Sequence, residues 1–528
     1  MFPAAFALIT SLFLLALCLP NSAAANESPL VLAAAEQMFM QIVHVLETIL
    51  FVPIPLPTSI VGENSGVPAL VLWLVFGGFY FSIVTKCVNI RLLCHALAVT
   101  RGRFTRPSDP GEISHFQAMA TSISGTVGLG NIAGVSVAVA VGGPGAVIWM
   151  MVAGIFGMST KFAEALLGHK FRRIEKDGIV KAGAFLYLRE GLASKGYKAI
   201  GRGLALLFAI CCLGGAFGAG NMFQSNQTVA ILTDSFAVLE KFDIAIALLL
   251  AFMVGVVIIG GISRVATVAE KLVPTMAIIY ILACIIVIIA NISVAGEAIS
   301  FMISAAFSGS AAAGGALGAM IVGFQRSAFS NEAGIGSASI VHPTARNTEP
   351  VRAGCTALLE TFIDTMVICF LTGLVITITG VYADVDKTGI ELASASFRTV
   401  INWFPIVLSV CVFFFAFSTM ITWSYYGGQA WLFLFKGRGL VIYQLLFCSL
   451  TFLGGALDGV MLVLKFSDLL LLSMAIPNLI GLYLMSDIIR SELSAYMQKL
   501  RRGEVIKVDS HASHIVDNDA DVFSNITR

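Results

Sequence analysis

Residues Ser124 to Gly145 read SGTVGLGNIAGVSVAVAVGGPG, a glycine-crowded stretch with a single amide, Asn131, inside a run otherwise apolar enough to cross a membrane. In hydrocarbon an unpaired backbone N–H or C=O costs several kcal/mol, so helix-weakening glycines survive there only where protein or a water-filled cavity receives the freed groups. The stretch therefore predicts a broken membrane helix, and a broken membrane helix is a candidate ligand site.

Composition puts the rest of the chain in the same solvent. Of 528 residues, 58% are hydrophobic and only 12% charged, which leaves no soluble domain of any size. A net charge of +1, with Lys and Arg scattered over short loops and no basic face or aromatic platform, excludes nucleic acid as a partner and leaves the lipid bilayer. The ten cysteines lie in or beside apolar runs without metal-ligand spacing, and read as small buried hydrophobes.

Eleven segments meet the requirement of roughly 20 residues per crossing. They fall near 67–86, 116–141, 146–169, 203–231, 244–262, 271–292, 314–340, 353–380, 402–431, 439–456 and 466–486. Ahead of them, residues 1–25 resemble a secretory signal, with an apolar run from Ala4 to Leu19, Pro20 and small residues up to Ala25. No Lys or Arg precedes that run, so an uncleaved anchor stays open. Residues 26–66 read as an external amphipathic segment and linker closed by Pro53, Pro55 and Pro57, 293–313 as an external interfacial segment, and 487–528 as a cytoplasmic tail, solvated from Arg501 onward.

Charge orients the chain. If the segment at 67–86 runs inward, 26 of the 32 basic residues lie in cytoplasmic loops or the tail, four outside (Lys241, Lys387, Arg398, Lys465) and two, Lys161 and Arg326, within the membrane. The mature N-terminus is then external, the C-terminus cytoplasmic. The leading crossing at 67–86 is followed by ten more, which divide into two groups of five, 116–292 and 314–486; an odd-numbered unit repeated must appear in opposite orientations. The first segments of both groups are interrupted, by Gly125, Gly128 and Gly130 in one and by Ser330-Asn331-Glu332-Ala333-Gly334 in the other. A half-helix ending at such a break offers N–H groups with partial positive charge or C=O groups with partial negative charge. An amino-acid zwitterion with Na+ uses both kinds of terminus, which makes it the natural ligand for two adjacent breaks.

The chain resembles the alanine or glycine:cation symporter family, the sodium:alanine symporters. The resemblance rests on GTVGLGNIAG (Gly125–Gly134), GGPGAVIWMMVAGIFGMSTKFAE (Gly142–Glu164), FSNEAGIGSA (Phe329–Ala338), FIDT (Phe362–Thr365), FST (Phe417–Thr419) with WSYYGG (Trp423–Gly428), and AIPNL (Ala475–Leu479). It implies an all-α polytopic membrane protein with a five-plus-five inverted repeat of the leucine-transporter type and one extra leading transmembrane helix, importing alanine, glycine or a similar small amino acid with Na+ across a bacterial inner membrane. By the same resemblance Thr126, Gly128, Gly130 and Asn131 contact the substrate, with Gln325, Phe329, Ser330 and Asn331 as the opposing wall. Ser418 and Thr419 coordinate Na+ with carbonyls of the first broken helix, Gly125 among them, and Trp423 caps a small side-chain pocket. Two departures, Gln325-Arg326-Ser327-Ala328 ahead of the FSNEAG motif and Leu129 where a Thr is common, leave the choice among alanine, glycine and D-alanine open.

Intramembrane charges mark functional positions. Lys161 and Glu164, three apart on one helical face, are expected to pair with each other. Arg326, Glu332 and Asp364, with Glu360 sharing the face of Asp364, read as an internal gate or cation path. Phe217 and Phe223 read as packing. All seven histidines fall outside the centres of the segments, which weighs against proton coupling, although Asp364 or Glu332 keeps that alternative open. Neither HExxH, GxSxG on a suitable turn nor paired catalytic aspartates occur, so an intramembrane enzyme has no machinery. A filter-lined channel lacks the repeated identical segments it would need.

Overall fold

The computed structural model describes residues 66–505, except 177, 240, 260, 309–314, 384–386, 388, 401 and 458–459, together with parts of 40–55. The signal-like leader, most of the external amphipathic segment and the end of the tail lie outside the described residues. Helix dominates because hydrocarbon offers the backbone no hydrogen-bond partner but itself.

α1 (Ala69–Val84) leads. α2 (His115–Thr126) starts at a capping box, in which Ser114 Oγ accepts from the Gln117 N–H and the Gln117 side chain accepts from the Ser114 N–H. After a 3-10 turn at Leu129–Asn131 the chain resumes as α3 (Ala133–Gly142), and the two halves are bent by 58°. There follow α4 (Gly145–Lys170), α5 (Ala184–Ser194), α6 (Lys198–Ser235, with a π turn at Gly218–Met222), α7 (Asp243–Ile258), α8 (Gly261–Ala290) and α9 (Ile292–Phe307). The second broken segment is α10 (Gly315–Asn331) with the short α11 (Ala338–Val341). Then come α12 (Pro350–Thr379, π-helical over Phe362–Cys369), α13 (Gly389–Arg398), α14 (Phe404–Leu434), α15 (Leu440–Ala456), α16 (Val463–Leu484) and α17 (Ser486–Arg501).

Among the described residues α4, α6, α8, α12, α14 and α16 are each long and apolar enough to cross a membrane, and the bent pair α2–α3 makes a seventh span. α9 lies where the interfacial segment was expected, its Ala306 carbonyl accepting from Trp149 Nε1 at 2.9 Å. Among the described residues, four helices of eight or more residues fall in stretches read as loop or tail. Leu93–Thr100, α5 and α13 sit between crossings, and α17 opens the segment read as tail, burying Ile489, Leu493 and Tyr496 at helical spacing. That amphipathic stripe is too narrow and too charged to register as a crossing, yet it suffices to seat a surface helix.

Candidate substrate and ion site

α2 stops because Gly128 takes φ −133° and ψ −144°, far from the helical region. The last carbonyls of α2 are met by α14. Thr419 Oγ1 donates to Ser124 O at 2.8 Å, and Trp423 Nε1 reaches Gly125 O at 3.3 Å. Ser418 Oγ bonds back to Phe415 O at 2.9 Å, while the Ser418 carbonyl accepts from Ser124 Oγ at 2.7 Å. The cluster is thus made of neutral carbonyl and hydroxyl oxygens at the C-terminal end of a half-helix, the donor set that suits an alkali cation. Gly128 must lack a side chain here, since a Cβ would lie 2.4 Å from Thr419 Oγ1.

On the other side of the break the N–H groups are satisfied by amides. The Gly128 N–H donates to Asn131 Oδ1 at 3.2 Å and the Leu129 N–H to Gln224 Oε1 at 3.3 Å. Gln224 follows the π turn of α6, and its Nε2 donates to Ala219 O at 3.0 Å. Asn131 Nδ2 donates to Asp364 Oδ1 at 2.7 Å, so this amide both caps the break and ties it to α12. Thr126 Oγ1 lies 3.1 Å from Glu360 Oε1.

The second break begins after Asn331, where Glu332 (φ +58°), Gly334 (+91°) and Gly336 (+94°) take left-handed conformations that no helix continues through. Glu332 Oε1 accepts from Trp423 Nε1 at 3.0 Å and its other oxygen from Ser337 Oγ at 2.5 Å. One indole N–H therefore spans both breaks. A Cβ on Gly130 would stand 3.4 Å from both the Phe329 ring and Ser330 Cα, so the breaks touch. Phe329 packs edge-to-face on Phe223 with centroids 5.4 Å apart, which brings Phe223 to the site. Ser330 Oγ donates to Asp364 Oδ2 at 2.9 Å, and the Asn331 amide to Ser327 and Thr365 hydroxyls, both at 2.9 Å. Gln325 turns away to Asp468 at 3.3 Å, where Arg326 forms an ion pair with the same carboxylate and stacks over Phe329 at 5.2 Å.

One expected pairing is corrected. Lys161 does not bond Glu164; its Nζ donates to Glu360 Oε1 and to Asn331 O, each at 2.6 Å, in a fully buried setting. Glu164 instead accepts from Asn478 Nδ2 at 2.9 Å. Spacing on one helix brings two side chains near each other, but α12 and α16 pack against that face and supply better-placed partners. Glu360 is shared further, with His342 Nε2 at 2.7 Å. Asp468, Asn478 and Gln224 were not singled out from the sequence. For Gln224 a signal existed in the glycines of GGAFGAGNMFQSN, which permit the π turn that aims it; Asn478 belongs to the AIPNL motif, read there without a role of its own, and Asp468 sits in a plain apolar run.

A family profile described as the sodium:alanine symporter family matches residues 58–510. The sodium/alanine symporter AgcS of Methanococcus maripaludis is 37% identical over 441 residues, covering 83% of this chain and 96% of that protein. The probable sodium/glutamine symporter GlnT of Bacillus subtilis is 32% identical over 439 residues, covering 82% and 89%. Among solved structures, the crystal structure of MhsT in complex with L-phenylalanine matches with a TM-score of 0.52 at 14% identity, over 70% of this chain and 88% of that one. The likeness shows the fold, which is of the leucine-transporter type.

Proposed function

We propose, from the premise that this chain belongs to the sodium:alanine symporter family, that it imports small neutral amino acids together with Na+ by alternating access. It is a multi-pass membrane transporter and not an enzyme. The observation that carries the reading is the placement of Thr419 Oγ1 at 2.8 Å from Ser124 O, beside Ser418 and next to the unwound Gly128–Asn131. Carbonyls and hydroxyls there receive the ion, and the Gly128 and Leu129 N–H groups, exchanging their long bonds to the Asn131 and Gln224 side chains for the substrate, receive the carboxylate. The contact of Gly130 with Phe329, closed behind by Phe223, limits the side chain to a small one, which favours alanine and glycine over glutamine. Trp423, bonded to both breaks, closes the pocket from α14. Two five-helix units, 116–292 and 314–486, form the inverted repeat behind the leading helix, in a bacterial inner membrane with the N-terminus outside and the C-terminus in the cytoplasm.

Na+ drives the cycle only by binding one state better than the other, and loosening of the α2–α3 bend is the element it biases. The test is uptake of labelled alanine into proteoliposomes with and without an inward Na+ gradient, beside Asn131→Ala and with glutamine as competitor. The expected result is concentrative, Na+-dependent uptake that Asn131→Ala abolishes and glutamine does not inhibit. Uptake driven equally by a pH gradient alone would replace Na+ with H+, and an unaffected Asn131→Ala would remove the site.

A further inference from the structure

The helical stretch that follows α1 packs one face inward and leaves the other bare. Lys86 and Cys87 take φ +54° and +52°, which stops α1 and turns the chain into the helices Val88–Arg91 and Leu93–Thr100. Val88, Leu92, Ala96 and Val99 are buried on one side. On the other, Cys87, Ile90, Cys94, Leu97 and Arg101 recur every three or four residues and are all exposed, Ile90 by 74% and Leu97 by 41%.

Contacts at both ends fix the depth of that face. The Asn89 side chain donates to Ile155 O at 2.8 Å, well inside α4, which runs on to Lys170. At 1.5 Å per residue, Ile155 lies about 22 Å before that end, so the stretch rests against the spanning part of α4 at leaflet depth and not out in the cytosol. At the other end Arg352, in the first turn of α12, donates to Phe104 O at 2.5 Å and stacks over the Phe104 ring at 5.8 Å. Charge then says what meets the face. Lys86, Arg91, Arg101, Arg103 and Arg106 flank the apolar stripe, and no acidic residue occurs before Asp109. Among the described residues none of these five side chains forms an ion pair, whereas Lys170, Lys181, Arg189 and Lys195 of the neighbouring cytoplasmic segments all do.

We propose that residues 86–106 form a binding surface for anionic phospholipid of the cytoplasmic leaflet, with acyl chains along Ile90, Cys94 and Leu97 and the headgroup phosphate held by Arg91, Arg101 and Arg103. An apolar stripe rimmed by uncompensated basic residues matches a molecule that is apolar along its length and anionic at its head. Guanidinium groups bind phosphate through charge-assisted hydrogen bonds, which a zwitterionic lipid offers with less net attraction. Through the Arg352–Phe104 contact the bound lipid braces the start of α12, the helix that carries Glu360 and Asp364 into the site. The inference rests on the reading above only for the choice of leaflet, which follows from the proposed orientation.

Hydrogen–deuterium exchange on the full-length protein, in nanodiscs holding one protomer each, tests it with phosphatidylglycerol against phosphatidylcholine. Phosphatidylglycerol is expected to slow exchange in residues 88–104 at least about fivefold relative to phosphatidylcholine, and raising salt from about 50 mM to about 500 mM should remove most of that difference. The triple variant Arg91→Gln, Arg101→Gln, Arg103→Gln should lose it altogether. Equal exchange in the two lipids overturns the proposal, as does a lipid effect that the triple variant keeps. Inorganic phosphate giving the same protection in phosphatidylcholine discs overturns lipid as the occupant, and protection that appears only with two protomers per disc overturns it in favour of a contact between copies. Should the triple variant fail to fold, the lipid and salt arms on the parent still decide. None of these outcomes depends on orientation. Alkylation of Cys87 and Cys94 by an impermeant maleimide from outside intact cells would instead sink the orientation, and the leaflet with it, while the preference for phosphatidylglycerol stands.

Discussion

Thr419 and Gly220 show how narrowly single residues set the site. Thr419 Oγ1 is the one hydroxyl on α14 in contact with the Ser124 carbonyl. Thr419→Ala is expected to raise the half-saturating Na+ concentration at least about tenfold, equivalent to roughly 1.4 kcal/mol, while Thr419→Ser keeps it close to the parent; Na+ titration of alanine uptake checks both. Gly220 matters by what it lacks, since a Cβ there would stand 2.2 Å from Trp423 Cγ. Gly220→Ala must therefore displace the indole, with a stability loss of about 1–3 kcal/mol seen as a lower unfolding midpoint and a loss of transport. Of such detail the glycines of the first break were legible, because hydrocarbon tolerates them only for a reason. The partners of Gln224 and Asn478 were not, because a polar side chain's partner lies on another helix and leaves no mark in local spacing.

At the scale of elements, α17 is strapped to the rest of the molecule by three ion pairs: Lys195–Asp487 and Lys170–Glu492 at 2.5 Å and Lys499–Glu349 at 2.7 Å. All are partly exposed, so each contributes little and salt screens it. The apolar stripe and one further contact carry more. Tyr496 of α17 lies 2.9 Å from His95 Nε2 on the helix Leu93–Thr100. Burial, with the Arg352 charge second, holds the His95 imidazole below its ordinary value of 6.5. The docked state thus keeps His95 neutral while the undocked state takes up a proton, so the contact is at full strength above that value and weakens as pH falls below it. Exchange protection of residues 486–501 should drop on acidification from about pH 7 to about pH 5.5, and His95→Gln should flatten that response.

Across the whole molecule, the buried Arg326–Asp468 pair joins the second broken segment to α16 on what the proposed orientation makes the outer side. Removing one partner strands a charge: Asp468→Asn is expected to cost about 3–5 kcal/mol, while Arg326→Met with Asp468→Leu recovers most of it. If the pair closes the outer path, the double substitution leaves alanine binding intact and speeds exchange of bound label with external alanine. The layout of the helices was readable from composition, since apolar length and the distribution of Lys and Arg are written along the chain. The partners of the interior charges were not: Lys161 chose Glu360 on α12, 199 positions away, over Glu164 on its own helix. Surface helices such as α17 escaped for a related reason, because a stripe of three apolar residues is weak against a background of membrane segments.

The indole of Trp423 is held by Gly125 and Glu332 at once. Its near-ultraviolet emission is consequently a native optical gauge: any departure of one partner must shift both its brightness and its wavelength. Replacing the other four tryptophans with phenylalanine would let stopped-flow spectroscopy time the separation directly, without an attached dye.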